Sequence, residues 1–231
     1  MEWATPRSRR TPEILDRLEQ TGAEVVCLTE THRDLLAGQG YGICAQEDYG
    51  YPVTEGRRKV ALWSREPWQE VDDVGSDGLP PGRYVSGVTH TSVGAIRVVG
   101  ICIPWSGCRT ESRRGAERKL RWEDHEQYLA RLPGVLKGLG SGSLVVMGDF
   151  NQVIGPGSRA PLRLRSALTL AFPTGIRIVT PDLEFQGRES IDHIAVSDDL
   201  VVESVGIVSN LHGDRKLSDH YGVFADLAAR D

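Results

Sequence analysis

The sequence predicts an α+β sandwich of two packed sheets, mixed or mostly antiparallel, and three observations carry that prediction. At least eight apolar runs have strand length, only two stretches keep a helical period, and 26 glycines break the chain into short elements. Two long helices supply too few crossovers for a wholly parallel sheet, so the strands pair largely with antiparallel neighbours and the helices lie outside. A chain of 231 residues and 25.4 kDa is long enough to bury a sizeable core. No repeat, low-complexity tract or linker divides it, so residues 1–231 read as a single domain.

The first element is a short helix over 12–21, PEILDRLEQT, with Ile14, Leu15 and Leu18 on one face, Pro12 in the first turn and Gly22 as the stop. Strands follow at 23–30 (AEVVCLTE), 59–64 (KVALWS), 83–91 and 95–103. The second helix spans 120–139, where Trp122, Tyr128, Leu129, Leu132 and Leu136 recur every three to four residues and Pro133 introduces a kink. Further strands are expected at 143–149, 175–180, 190–197, 201–209 and 221–227.

Composition excludes several classes of function. A net charge of −5 and a pI near 5.7 argue against attachment to nucleic acid by bulk basicity, so a polyanionic substrate must be met by a local patch or a metal. No apolar run approaches the ~20 residues that span a bilayer. The N-terminal MEWATPRSRR lacks a signal-peptide core, which makes the cytoplasm the expected compartment. Cys27, Cys44, Cys102 and Cys108 form no CxxC pair, so reduced thiols and no structural zinc are expected. HExxH, GxSxG, P-loop and dinucleotide fingerprints are absent from the sequence.

The chemistry gathers where apolar runs end. Glu30 closes VVCLTE, Asp149 and Asn151 follow LVVMG, Asp192 sits inside SIDHIAV, and Asp219 with His220 precedes a further run. A single acid after a strand is ordinarily a turn or capping residue. Several converging on one edge are costly unless a cation or proton neutralises them, and acidic oxygens with amide support suit a hard dication.

In this order LTETH (28–32), GDFNQ (148–152), SIDHI (190–194) and LSDHYGV (217–223) resemble the signature segments of the endonuclease/exonuclease/phosphatase superfamily. Its members include DNase I-like nucleases, abasic-site endonucleases, inositol polyphosphate phosphatases and neutral sphingomyelinases. The resemblance implies a four-layer sandwich, two mixed and mostly antiparallel sheets flanked by helices, and phosphoester hydrolysis with Mg²⁺ or Mn²⁺. It also implies roles. Glu30 and Asp219 are the metal carboxylates. Asp149 orients or deprotonates the attacking water or assists the leaving group, and Asn151 beside it positions the phosphate. His220 contacts the scissile phosphate, and Asp192 holds its ring. A carboxylate bonded to imidazole fixes the tautomer and raises its basicity, which agrees with that arrangement.

Two departures from the family pattern qualify the expectation. The family carries an early strand that brings an Asn to the site, whereas this chain opens on EWAT. That strand is then supplied from upstream of Met1, supplied by a partner, or lacking. The segment 98–107, VVGICIPWSG, resembles the stretch where relatives place a His or Tyr against the phosphate. Cys102 lies there instead and reads as inert packing rather than a nucleophile, so the phosphate either goes without that donor or takes an arginine in its place.

Substrate contacts are expected from the loop after this strand. Trp105 offers a stacking face, and six cations, Arg109, Arg113 and Arg114 among them, outnumber Glu111 and Glu117 by four. Arg159, Arg163 and Arg165 offer a second wall, whereas Arg57, Arg58 and Lys59 read as solvent-facing charge. His193 alternates to the face opposite Asp192. The function expected is a metal-dependent phosphodiesterase acting on nucleic acid. The alternatives are hydrolysis of a small phosphorylated metabolite or lipid head group, and a catalytically silent binding module.

Overall fold

The computed structural model describes residues 3–110 and 119–230. Its elements run α1 (Thr11–Gln20), β1 (Val25–His32), β2 (Tyr41–Cys44), β3 (Arg57–Ser64), β4 (Gln69–Asp72), β5 (Tyr84–Thr91) and β6 (Gly94–Cys102). They continue with α2 (Glu123–Gly138), β7 (Leu144–Asp149), α3 (Leu162–Ala171), β8 (Ile176–Ile178), β9 (Glu184–Phe185) and β10 (Arg188–Glu189). The last are β11 (Asp192–Ser197), β12 (Leu200–Val208), β13 (Leu211–His212), β14 (Arg215–Lys216) and β15 (Gly222–Ala229).

Strict alternation along the strands builds the layers. In the six-stranded sheet β4-β5-β6-β7-β11-β8, β6 and β7 are parallel and every other pair is antiparallel. Val99 and Ile101 of β6, with Val146 of β7, face Tyr128, Leu129 and Leu132 of α2 and Leu168 of α3. Val98, Cys102 and Val145 face the other way, against Val60 and Leu62 of β3 and the inward side of β15. That second sheet layer consists of the antiparallel ribbons β1-β3-β2 and β12-β15. Among the described residues, β1 is paired on one side by β3, and β15 on one side by β12. Outside it, Ile14 and Leu18 of α1 cover Val26 and Leu28, each buried side chain contributing roughly 1.5–3 kcal/mol. The result is the α+β sandwich expected, with helix, sheet, sheet and helix in succession.

The architecture departs from expectation at the edges. A third helix, α3, packs beside α2, and β2 and β4 add short edge strands. The LRLRSALTLA segment hid its helix because Leu162 and Leu170 are exposed while Leu164 and Leu168 are buried, so apolar residues occupy both faces. Pro133 sits inside α2, as its place in the 120–139 pattern indicates.

One glycine is dictated by the layering. Gly148 in β7 has φ +138, and a Cβ there would lie 2.0 Å from the Ile101 carbonyl of the neighbouring strand. Only glycine lets the chain turn out of the ladder at the residue that precedes Asp149.

Candidate active site

The site assembles at the common end of β7, β11 and the β14–β15 connection. Asp149 closes β7 and pairs in register with Asp192, the first residue of β11, so two carboxylates from distant sequence become cross-strand neighbours. Asn151 at φ +52 folds the chain back over Asp149. Its backbone N–H donates to Asp149 Oδ1 at 2.8 Å, and its amide donates to Asp149 Oδ2 and to the Ile103 carbonyl, each at 2.8 Å. Both amide hydrogens are thereby engaged. Phe150, between the two, is fully buried and anchors this turn in the core.

His220 arrives from the far end of the chain. Its Nδ1 lies 2.8 Å from Asp192 Oδ2, and its Nε2 lies 3.9 Å from Asp219 Oδ2. Ligand atoms of Asp149, Asp192 and His220 all fall within 4.8 Å of one another, a spacing at which one metal ion can be shared. Burial works to lower the His220 imidazole, but the bond to Asp192 and the charges of Asp192, Asp149 and Asp219 overcome it and raise it to about 9. Asp149 moves up to about 7, first through burial and then through the charge of Asp192, with His220 and the Asn151 N–H acting against the rise. Asp219 is held below the ordinary carboxylate range: burial opposes this, and the His220 charge prevails.

Glu30 flanks this cluster rather than joining it. It lies within β1 at φ +49, between paired Thr29 and Thr31, its charge presses on Asp149, and its Oε1 lies 2.5 Å from Lys59 Nζ. Lys59 and Arg58 are buried, which corrects the expectation that this basic run faces solvent. Alternation could not show this, because the partner of Lys59 is known only once β1 and β3 are in register.

The segment leaving β6 borders the site, since Cys102 pairs in register with Asp149. Trp105 is 53% exposed and its ring lies against Gly107. The Arg109 N–H donates to Tyr51 Oη at 2.9 Å. Arg113 and Arg114 lie outside the described residues. Arg163 and Arg165 do not face the cleft: Arg163 pairs with Glu126 on the helical layer, and Arg165 donates to the Ser158 and Ala160 carbonyls. Cys102 is buried with its thiol pushed up to about 12, chiefly by that burial, so it packs and does not attack.

A buried polar chain, invisible in the sequence, supports the Asp149 turn from behind. His125 of α2 donates through Nδ1 to the Pro104 carbonyl at 2.6 Å and accepts at Nε2 from the Gln152 amide at 2.7 Å. His193 faces away from Asp192, as alternation indicates, with Nε2 3.0 Å from the Gln152 carbonyl. Burial lowers His125 to about 4 and lowers His193 as well. Because the unfolded chain takes up a proton near pH 6.5 and folded His125 does not until about pH 4, His125 removes stability as pH falls through that window. In His125→Gln, melting temperatures measured from pH 7 to pH 4 are expected to fall less steeply than in the wild type; parallel profiles would dismiss the assignment.

Comparisons with known proteins place the fold in a family. A family model described as the endonuclease/exonuclease/phosphatase family matches residues 3–220. The chain belongs to this family. Among solved structures, the endonuclease/exonuclease/phosphatase from Beutenbergia cavernae superposes with a TM-score of 0.65 at 18% identity, covering 95% of this chain and 66% of that one. The protein from Bacteroides vulgatus gives 0.66 at 16%, covering 99% and 96%. A variant of the 3′ phosphatase NExo from Neisseria, bound to product DNA hairpin, gives 0.64 at 20%, covering 94% and 93%. At such identities the likeness concerns the fold. No curated protein matches the chain by sequence. The family comprises nucleases, phosphatases and other phosphoesterases, hydrolases that act on phosphoester bonds.

Proposed function

We propose that the protein is a divalent-metal-dependent phosphodiesterase that hydrolyses nucleic-acid phosphodiester bonds. The observation that carries this reading is the Asp192–His220 pair set against buried Asp149, at the strand ends of a phosphoesterase fold. The donor set fits a hard dication. Glu30, Asp149, Asp192 and Asp219 offer carboxylate oxygens, and the rise of Asp149 to about 7 marks a place short of positive charge. Glu30 and Asp219 would hold Mg²⁺ or Mn²⁺. Such an ion, when bound, polarises a phosphoryl oxygen and eases ionisation of a water.

The remaining work falls to the chain. His220, kept protonated by Asp192, presents Nε2–H to a phosphoryl oxygen and stabilises the charge that grows there. Asp149 accepts the proton of the attacking water. Asn151, with both amide hydrogens spent, aligns Asp149 and reaches the phosphate only through it. Trp105 and Arg109 supply a stacking face and a cation beside the scissile bond. The DNA product bound to the Neisseria relative favours nucleic acid over a small phosphoester.

EDTA is expected to abolish hydrolysis, and Mg²⁺ or Mn²⁺ to restore it. Across plasmid DNA, single-stranded RNA and a phosphatase reporter, a nucleic-acid substrate should show log rate falling steeply with log salt, through counterion release. A flat salt response with preference for the reporter assigns the small-phosphoester chemistry that the charge of −5 permits. Absence of Mg²⁺ binding in calorimetry at millimolar concentration makes the protein a silent binding module.

A further inference from the structure

Glu30 already has a cation. Its Oε1 lies 2.5 Å from Nζ of Lys59, the residue across from it on β3, and the Lys59 side chain is only 9% exposed. The ammonium is boxed in. It lies 5.0 Å from the Trp3 ring centroid and 5.6 Å from that of Tyr49, and those two rings are themselves 5.9 Å apart. Trp3 is tied to the same spot by its backbone N–H, which donates to the Glu30 carbonyl at 2.6 Å. Aromatic faces attract a cation, so the box holds the Lys59 ammonium directed at Glu30. Glu30 itself is held at φ +49, a conformation that a non-glycine residue keeps only where its surroundings impose it.

We propose that Lys59 is a positioning residue that competes for the Glu30 carboxylate and thereby weakens the hold of the site on a divalent ion. This rests on the reading of Glu30 as an ion-binding carboxylate. An ion bound to Glu30 shares that group with an ammonium in contact with it, and like charges a few ångströms apart in a partly desolvated place repel strongly. The ion is therefore held tightly only when a phosphoester brings further negative charge, which couples ion retention to substrate.

Calorimetric titration of the substrate-free protein with Mn²⁺ tests this directly. Lys59→Met, which keeps length and packing, is expected to bind Mn²⁺ about tenfold more tightly than the wild type, and Lys59→Arg to stay within about threefold of it. Glu30→Gln should weaken binding, and adding Lys59→Met to Glu30→Gln should change affinity little, because the contested carboxylate is gone. Equal or weaker binding by a folded Lys59→Met overturns the inference while leaving Glu30 in place. If Lys59→Met does not fold, Tyr49→Leu, which opens the box, must tighten Mn²⁺ binding instead, or the inference is overturned. No change in Glu30→Gln overturns the Glu30 assignment itself.

Discussion

His220→Asn is expected to lower kcat/KM for a phosphodiester by about three orders of magnitude, close to 4 kcal/mol of transition-state stabilisation, with little change in fold. The imidazole is 2.8 Å from Asp192 and raised to about 9, so in the proposed mechanism it meets the phosphate as a cation at neutral pH. Asparagine can take over the Nδ1 bond to Asp192 but is too short to reach where Nε2 stands, so the phosphate donor and its charge are lost together. A charge-assisted bond in a site partly closed to water is worth far more than a neutral one, which is why the loss falls on kcat. Asp149→Asn should cost a similar factor by removing the proton acceptor. Asp192→Asn should cost less, roughly tenfold to a hundredfold, because it disturbs only the orientation and charge of His220. Circular dichroism melts of the metal-free variants separate catalysis from unfolding. Turnover within threefold of wild type by His220→Asn or Asp149→Asn would end the mechanism proposed for this site.

Phe150→Ala is expected to cost about 3–5 kcal/mol of stability, a large share of the roughly 5–15 kcal/mol that holds a domain together. Phe150 lies between the two polar residues of the Asp149 turn. It is fully buried, stacked on Phe172 at 5.6 Å and 18°, and 5.3 Å from the His193 ring. Removing it leaves a cavity beneath the turn that aims Asp149 and Asn151. For a chain of this size each kcal/mol moves Tm by about 2–4 °C, so a fall of roughly 6–20 °C is expected. Activity measured well below the new Tm should also drop, while Phe150→Leu should recover most of both. A Tm change under about 3 °C would mean that the turn is held by hydrogen bonds alone.

These two variants show which parts of the site were legible in the sequence. Phe150 and Asp149 are adjacent residues with opposite fates, one pointing into the helical core and one into the cleft, and strand alternation predicts as much. The acids at strand ends, the Asp-x-Asn spacing and the Asp-His pair were legible for the same reason: a strand puts its next polar group just past the last buried one. The helix of LRLRSALTLA was not, because leucines on both of its faces erase the period. Nor was Lys59, which sits in a basic run that reads as solvent-facing until β3 is laid against β1.

The order of neighbours along the chain was enough to mark the main strands, the apolar face of each, and the side chains that bring the chemistry, because alternation and strand-end polarity are local properties. Packing alone set Asp149 opposite Asp192 in register, carried His220 across from the far end to meet them, and raised Asp149 to about 7 and His220 to about 9 through burial and crowding. Packing also made Glu30 a group shared with Lys59. Register, burial and Coulomb energy depend on distances between segments remote in sequence, and those distances exist only once the layers have closed on one another.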